Sequence, residues 1–432
     1  MKLTSLHLKN FRCFESLDLA LNERCTVIAG VNGSGKSTIL DAIAISVGTY
    51  FAKIPMSYSL PINKDDALRR TFAIGSVVDT QSQYPVVISS RGIMDGKELN
   101  WVRELRGQKN RTTVKEAGEL IEVGYRYQKQ IQEGDVNLVL PIIAYYGTGR
   151  LYKKKTNRTG NHKKKSTRMD GYSDALSSGT NEKQLFRWFE DMTLIQLQEG
   201  KLIPELEAVK KAMKRCFLSG HPNLVSDVAI AYSVKSKEIE ITYSYSDGRI
   251  EKLPLHMFSD GIRITMTMVA DIASRMAMLN PQLLDCVLET PGLVLIDEID
   301  MHLHPSWQSK ILNTLLDTFP NVQFITTTHS PIVISNLKTE YLRLLNNGII
   351  ETVENSYGKD IRDILQFIMG TEYRPSEVRS LITEIHDKLD SNDLSQAGEL
   401  IDRLKELLGE NDSEVIAAQT SLELENFFEE LE

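Results

Sequence analysis

A glycine-rich segment near the amino terminus, GVNGSGKST at positions 30–38, limits the folds open to this chain more than any other feature. It fits the pattern G-x-x-x-x-G-K-[ST], follows a short apolar run at 25–29, and precedes a stretch with helical spacing at 38–47. Glycines let successive backbone N–H groups converge on one anion, and the start of the following helix adds partial positive charge. The segment therefore predicts a phosphate-binding loop between a strand and a helix of a parallel α/β sheet.

The loop also predicts the ligand, a nucleoside triphosphate with Mg²⁺. Lys36 would supply a full positive charge to the β and γ phosphates, and the hydroxyl of Ser37 would ligate Mg²⁺. The predicted nucleotide-binding residues of the loop are Asn32, Gly33, Ser34, Gly35, Lys36, Ser37 and Thr38.

A second segment supplies the acidic residues that such a site requires. Four large aliphatic residues at 293–296 predict a buried strand, and Asp297 and Glu298 follow it directly. Asp297 would hold Mg²⁺ through water, and Glu298 would orient and deprotonate the attacking water. The alternative is that Asp297 and Glu298 are ordinary solvated residues at the end of a strand. The four large aliphatic residues before them argue against this interpretation.

Three further segments complete an ordered set. FSDGIR lies at 258–263, between the glycine-rich loop and Asp297, while IDMHLHP and TTTHSP follow at 299–305 and 326–331. In this order the sequence resembles the ABC-type ATPases, especially the RecF, OLD and SMC branch. The resemblance implies ATP as the nucleotide and an ABC-type P-loop head of the α/β class, with a mixed sheet, a helical insert and a C-terminal helical region.

The same resemblance implies roles for three residues outside the loop. Ser259 and Gly261 would contact the γ-phosphate held by the other subunit, so that two copies sandwich two ATP molecules. The resemblance therefore implies a homodimer or higher oligomer. His329 would hydrogen-bond the γ-phosphate, the alternative being a structural histidine.

Other positions stay open. Arg12, within NFR at 10–12, matches a strand motif whose basic residue reaches the nucleotide, and a surface charge is almost as good an interpretation. His302 and His304 could be a metal pair, but no third ligand is spaced nearby. A Q-loop glutamine, which is expected on a strand after the loop helix, cannot be placed. PIIAYYGTGR occupies that general position, at 141–150.

The segments AYYGTGR at 144–150, DEIDMHLHP at 297–305 and YGKDIRDIL at 357–365 resemble the PtuA family, the ATPase subunits of Septu-type anti-phage systems. This resemblance covers about residues 1–375 and implies a separate HNH nuclease partner that resembles PtuB. A RecF-like repair ATPase and a nucleotide-gated scaffold with little turnover are the alternatives.

Charge is distributed unevenly. Residues 150–168 contain nine Lys or Arg and no acid, so contact with a nucleic-acid backbone and a merely solvated loop are equally good interpretations. The candidate contacts are Lys153, Lys154, Lys155, Lys163, Lys164 and Lys165. Residues 372–432 contain 17 acidic and 5 basic residues, a net charge of −12, whereas the rest carries +4. The acidic part suits docking to a protein partner, or a helical cap over the ATPase core.

The predicted domains are an ATPase head at 1–355, with an insert lobe at about 51–290, and a helical region at 356–432. Four widely spaced cysteines predict buried, reduced thiols. No run of about 18 apolar residues occurs, so no membrane span is expected. The start of the chain lacks the apolar core of a signal peptide. A cytoplasmic location is therefore expected.

Overall fold

The computed structural model describes residues 1–54, 59–74, 77–151, 167–177, 182–221 and 225–431. The chain divides into two compact units, Met1–Ile361 and Arg362–Glu432. The first unit contains all the strands of the described residues, and the second contains helices.

The strands have the following bounds: β1 Lys2–Phe11, β2 Phe14–Ala20, β3 Cys25–Ala29, β4 Arg69–Ile74, β5 Val77–Ser82, β6 Val86–Met94, β7 Lys97–Leu105, β8 Ile142–Tyr146, β9 Val225–Ser233, β10 Glu238–Tyr245, β11 Ile250–Pro254, β12 Gly292–Ile296, β13 Val322–Thr328, β14 Leu342–Asn346 and β15 Ile349–Glu351.

The helices have the following bounds: α1 Lys36–Val47, α2 Gly118–Gln132, α3 Glu182–Glu199, α4 Pro204–Gly220, α5 Asp260–Leu279, α6 Pro305–Gln308, α7 Ile311–Thr318, α8 Pro331–Ser335, α9 Ile361–Asp363, α10 Ser376–Asp390, α11 Leu394–Leu408 and α12 Ser413–Leu431. A π-helical turn, Ile364–Ile368, follows α9.

A six-stranded sheet in the order β15-β14-β3-β13-β12-β8 forms the centre of the first unit. Every neighbouring pair is parallel except β14 and β15. Strands β3, β8, β12 and β13 are buried at every position, as expected for parallel strands covered on both faces. The predicted α/β class with a mixed sheet is thus confirmed. Because the strands are parallel, the loops that follow β3, β12 and β13 lie at the same edge.

The region from about 51 to 290, for which the sequence predicts an insert lobe, is divided among several sheets. Strands β6 and β7 extend the sheet of β1 and β2, in the order β2-β1-β6-β7. Strand β8 joins the central sheet, β9–β11 form a sheet of their own, and β4 and β5 form a two-stranded antiparallel sheet. The same region contributes helices α2–α5.

One predicted helix is divided. Helical spacing predicts a single amphipathic helix over 306–318, whereas the structure has α6 and α7 on either side of Ser309 and Lys310. Lys310 has φ −123°, outside the helical range. The prediction of one helix is therefore wrong, because apolar spacing continues through a backbone break.

The second unit has its own apolar core. Helices α10, α11 and α12 each contribute buried residues to one cluster, in agreement with the helical spacing of apolar residues in this part of the sequence. The buried members are Val378, Leu381, Ile385, Leu389, Ala397, Ile401, Leu404, Val415 and Ala418.

The cysteines differ in exposure. Cys25 and Cys216 are buried, but Cys13 and Cys286 are exposed, so the prediction of buried thiols is wrong for these two. Sequence neighbours do not indicate which thiols lie inside, because exposed Cys286 is followed by Val287 and Leu288, whereas buried Cys25 and Cys216 each follow an arginine. In the described ranges, no helix combines the length and the apolarity needed to cross a membrane.

Candidate nucleotide-binding site

The glycine-rich loop connects β3 to α1, as predicted. Gly35 is the residue before the helix and has φ 104°, a left-handed conformation that favours glycine. A Cβ atom there would lie 2.7 Å from Cys13 Sγ and 2.6 Å from the Phe14 ring, so the β1–β2 turn packs against the loop. No acidic residue occurs in the first turn of α1. The helix start is therefore suited to an anion.

Lys36 is buried, with 5% of its surface exposed, and its Nζ donates to the carbonyl oxygens of Gly30 and Val31 at 2.9 Å each. Burial lowers the Lys36 pKa, and the nearby carboxylates of Glu298 and Asp297 oppose this shift. The structure thus brings the lysine of the loop close to both predicted acidic residues. Among the other loop residues, the exposed ones are Asn32, Gly33 and Ser37, and the half-buried ones are Ser34, Gly35 and Thr38.

Strand β13 holds the two acidic residues in place. The Thr327 hydroxyl donates to Asp297 Oδ1 at 2.6 Å and accepts from the Glu298 backbone N–H at 2.7 Å. The backbone N–H of Ile299 donates to the Thr327 carbonyl at 3.0 Å. Asp297 is buried. This contact was not predicted, because no sequence pattern marks one threonine of the TTT run as the partner.

Glu298 and His329 face each other. His329 Nε2 lies 3.8 Å from Glu298 Oε1, and both side chains are partly exposed. Glu298 has φ 47°, an uncommon conformation for a non-glycine residue and one that occurs often at functional sites. The arrangement puts a candidate base and a hydrogen-bonding histidine side by side where solvent and a ligand can reach them.

The two candidate metal ligands, Ser37 and Asp297, are too few for a metal that is held by protein groups alone, but they suit Mg²⁺. The Ser37 hydroxyl is exposed in the first turn of α1, and the Asp297 carboxylate lies near Lys36. Mg²⁺ commonly uses one or two protein ligands together with phosphate oxygens and water. Within the described residues, no group of three or more potential metal ligands occurs. The imidazole of His304 instead accepts from the Ser306 N–H and so caps α6.

The predicted signature residues lie at the start of α5 and contact the loop that follows Glu298. Ser259 is exposed and precedes the first helical residue. A Cβ atom on Gly261 would lie 2.1 Å from the carbonyl oxygen of His302, so only glycine allows this approach. The ring of Phe258 packs edge-on against Phe217 at 5.6 Å. The signature turn is thus fixed to the 299–305 loop and to α4.

Arg12 lies between two carboxylates. Its Nη1 donates to Asp41 at 2.5 Å and its Nε to Asp66 at 2.8 Å. The Tyr145 hydroxyl donates to the second oxygen of Asp41 at 2.9 Å. Asp41 and Asp66 were not predicted as site residues, because their contacts join segments far apart in the sequence. A contact between Arg12 and the nucleotide stays a prediction.

The candidate nucleic-acid contacts lie outside the described residues. They are Lys153, Lys154, Lys155, Lys163, Lys164 and Lys165.

Comparison with known proteins gives AAA-domain family models and curated relatives that include probable ATPases. A family model described as an AAA domain matches residues 5–217, and one described as an AAA domain, putative AbiEii toxin, Type IV TA system, matches residues 168–335. The retron Ec83 probable ATPase of Escherichia coli is 27% identical over 406 residues, which cover 81% of this chain and 72% of the relative. The Septu protein PtuA of Bacillus thuringiensis is 25% identical over 390 residues, or 87% of this chain and 86% of the relative.

Among solved structures, the SMC head domain from Thermotoga maritima matches with a TM-score of 0.43 and 17% identity, covering 82% of this chain and 100% of that one. The family models, the two relatives and the order of the motifs together show that the chain is similar to the RecF, OLD and SMC branch of the ABC-type ATPases and is PtuA-like.

Proposed function

We propose that this chain binds and hydrolyses ATP with Mg²⁺, and that its nucleotide state controls an associated nuclease. The observation that supports this most strongly is the convergence of Lys36, Asp297, Glu298 and His329 at one edge of the central sheet. If these four residues only stabilised the fold, nothing would require a glycine-rich loop at the same edge of the sheet.

The chemistry follows from the position of each group. Lys36 and the amides at the start of α1 bind the phosphates. Ser37 directly and Asp297 through water would hold Mg²⁺, which would neutralise charge on the phosphate oxygens. Glu298 orients the attacking water and accepts its proton. His329 hydrogen-bonds the γ-phosphate and so responds to its presence.

Two copies are needed for the complete site in this proposal. Ser259 is exposed at the start of the 20-residue helix α5, where backbone N–H groups can meet an anion. In the proposed dimer, Ser259 and Gly261 of one copy contact the γ-phosphate bound by the other.

The partner follows from the relatives. The similarity to PtuA supports a separate HNH nuclease, resembling PtuB, and a role in defence against phage. Residues 150–168, with nine Lys or Arg, are the candidate contact for nucleic acid. ATP hydrolysis would then link recognition of nucleic acid to the activity of the nuclease.

Glu298→Gln tests the proposed chemistry. The amide cannot accept the proton, so we expect turnover to fall by about 10²- to 10⁴-fold while ATP still binds. Glu351→Gln, at an exposed position on edge strand β15, is the matched control and should leave turnover unchanged. Phosphate release and equilibrium ATP binding are the measurements. Turnover that is the same in both variants would exclude Glu298 as the base.

Phage challenge tests the role in defence. Cells that express this chain together with the proposed nuclease partner should lose protection when the chain carries Lys36→Ala or Glu298→Gln. Full protection with both variants would show that the ATP cycle is not required.

Turnover measured with and without DNA separates an ATPase from a scaffold that only binds ATP.

A further inference from the structure

The end of strand β8 lies beside the two candidate acidic residues. β8 pairs in parallel with β12, so that Tyr145 stands opposite Leu295 and Tyr146 opposite Ile296. The backbone N–H of Asp297 donates to the Tyr146 carbonyl at 2.8 Å. The two tyrosines belong to the AYYGTGR segment, in the position where a Q-loop glutamine is expected.

Tyr145 connects this strand to the helix of the phosphate loop. Its hydroxyl donates to Asp41 Oδ1 at 2.9 Å, and Asp41 lies in α1, five positions after Lys36. The other oxygen of Asp41 accepts from Arg12. A movement of α1 relative to β8 would therefore change a hydrogen bond to a charged acceptor.

Tyr146 connects the same strand to the signature helix. Its hydroxyl donates to Asp271 Oδ2 at 2.7 Å, and Arg275 Nε donates to the same oxygen at 2.7 Å. Arg275 Nη1 also donates to the carbonyls of Gly171 at 3.0 Å and Ser173 at 2.9 Å. Asp271 and Arg275 both lie in α5, the helix that begins directly after Ser259.

The alternation of side chains along a strand explains why neighbouring tyrosines reach different helices. Consecutive residues point to opposite faces of the sheet, so Tyr145 and Tyr146 contact α1 and α5 respectively. Burial raises the pKa of both hydroxyl groups well above the usual range. Each hydroxyl therefore stays protonated and acts as a donor. Hydrogen bonds to charged groups are stronger than those between neutral groups, and they are lost if the geometry changes.

We propose that Tyr145 and Tyr146 are positioning residues that couple the nucleotide state of the phosphate loop to the orientation of the signature helix. They do so through Asp41 on one face of the sheet and through Asp271 and Arg275 on the other. The proposal rests on the ATP binding proposed above and extends it, because it assigns the coupling to two tyrosines instead of a Q-loop glutamine.

Hydrogen–deuterium exchange on the full chain tests the coupling without requiring turnover. The probe is adenylyl imidodiphosphate with Mg²⁺, an ATP analogue that resists hydrolysis. In the unsubstituted protein we expect the analogue to slow exchange in both 36–47 and 260–279. Tyr145→Phe and Tyr146→Phe should each keep the protection of 36–47 and lose that of 260–279.

Tyr50→Phe is the matched control. Tyr50 is also buried and shares a hydroxyl hydrogen bond of 3.1 Å, with Tyr172, but it contacts neither Asp41 nor Asp271. Tyr50→Phe should lose about as much stability as the two coupling variants, but the ATP analogue should still slow exchange in both 36–47 and 260–279. Where turnover is measurable, the two coupling variants should lower kcat and leave the Kd of the analogue unchanged.

The outcomes separate the two proposals. If the analogue protects neither segment of the unsubstituted protein, ATP binding itself is wrong. If it protects 36–47 alone, or if both tyrosine variants behave like Tyr50→Phe, the coupling is wrong and the binding proposal stands. Tyr145→Phe keeps the test decisive if Tyr146→Phe does not fold, because Asp41 is about one-third exposed and retains Arg12 as a partner.

Discussion

Thr326, Thr327 and Thr328 are identical residues on one buried strand, yet their hydroxyl groups have different surroundings. Thr327 contacts both Asp297 and Glu298, and Thr328 donates to Asp300 at 2.6 Å. Among the described residues, the Thr326 hydroxyl is buried with no hydrogen-bond partner. A buried hydroxyl without a hydrogen-bond partner lowers the free energy of unfolding. A buried hydroxyl with a partner does so only when that partner is removed.

Substitution with valine should therefore have opposite effects at neighbouring positions. Thr327→Val removes a donor to the Asp297 carboxylate, so we expect a loss of about 1–3 kcal/mol in the free energy of unfolding and slower ATP turnover. Thr326→Val should be neutral or stabilising, with normal turnover. Chemical denaturation and phosphate release measure both quantities. Equal effects at 326 and 327 would contradict the assigned hydrogen bonds.

Cys13 provides a second test at the residue scale, because its Sγ packs against Gly35 of the phosphate loop. ATP should slow alkylation of Cys13 and leave alkylation of the exposed Cys286 unchanged. Although Cys13 is exposed as a residue, partial desolvation of its thiol against the phosphate loop raises its pKa, and the charge of Asp285 raises the pKa of Cys286. Both reactions should therefore accelerate as the pH rises above the usual thiol range. Cys25 and Cys216 should stay unreactive in the folded protein because both are buried.

Mass spectrometry of the alkylated peptides measures each cysteine separately. Equal slowing at Cys13 and Cys286 would indicate a general effect of ATP instead of occupation of the loop.

At the scale of elements, the close approach of α5 to the 299–305 loop depends on one glycine. Gly261→Ala would place a methyl group against the backbone carbonyl of His302, which cannot move aside as a flexible side chain can. We expect the signature turn and this loop to separate. ATP affinity should be retained, and turnover should fall at least tenfold, which corresponds to an increase of about 1.4 kcal/mol in the activation free energy.

Gly118→Ala is the control for this substitution. Gly118 is the first residue of α2 and has φ −57°. Apart from its chain neighbours and its own helix, no atom of the described residues would lie within 4 Å of a Cβ atom added there. This variant should be neutral or stabilised by about 0.4–1 kcal/mol. Normal turnover in Gly261→Ala would show that the contact with His302 is not needed for hydrolysis.

The sequence predicted those parts of the site that are local in the chain. The loop at 30–38 and the acids after the apolar run at 293–296 have the expected positions, because strand, loop and helix follow one another directly. The hydroxyl groups that donate to Asp297, Asp41 and Asp271 were not predicted. Each of these contacts joins segments at least 30 residues apart, so only the assembled sheet shows which hydroxyl meets which carboxylate.

At the scale of the whole molecule, the division into two units predicts two unfolding events. The second unit has a core of its own, in which Leu404 is 1% exposed. Leu404→Ala should destabilise this unit by about 2–5 kcal/mol and leave ATP binding unchanged. Leu407→Ala, at a half-exposed position of the same helix, should cost far less.

Hydrogen exchange resolved along the chain measures the two units separately. Loss of protection throughout residues 1–361 in Leu404→Ala would contradict independent unfolding.

The uneven charge has a consequence for how the protein behaves in concentrated solution. Residues 372–432 carry a net charge of −12 and the remainder +4, with nine basic residues within 150–168. The acidic helices of one molecule can therefore attract the basic segment of another, although the whole chain is anionic at pH 7. Salt screens such attraction within about 10 Å at 0.1 M. The protein should accordingly cluster or precipitate reversibly in dilute buffer and dissolve again when sodium chloride is added, a salting-in that its average charge alone would not suggest.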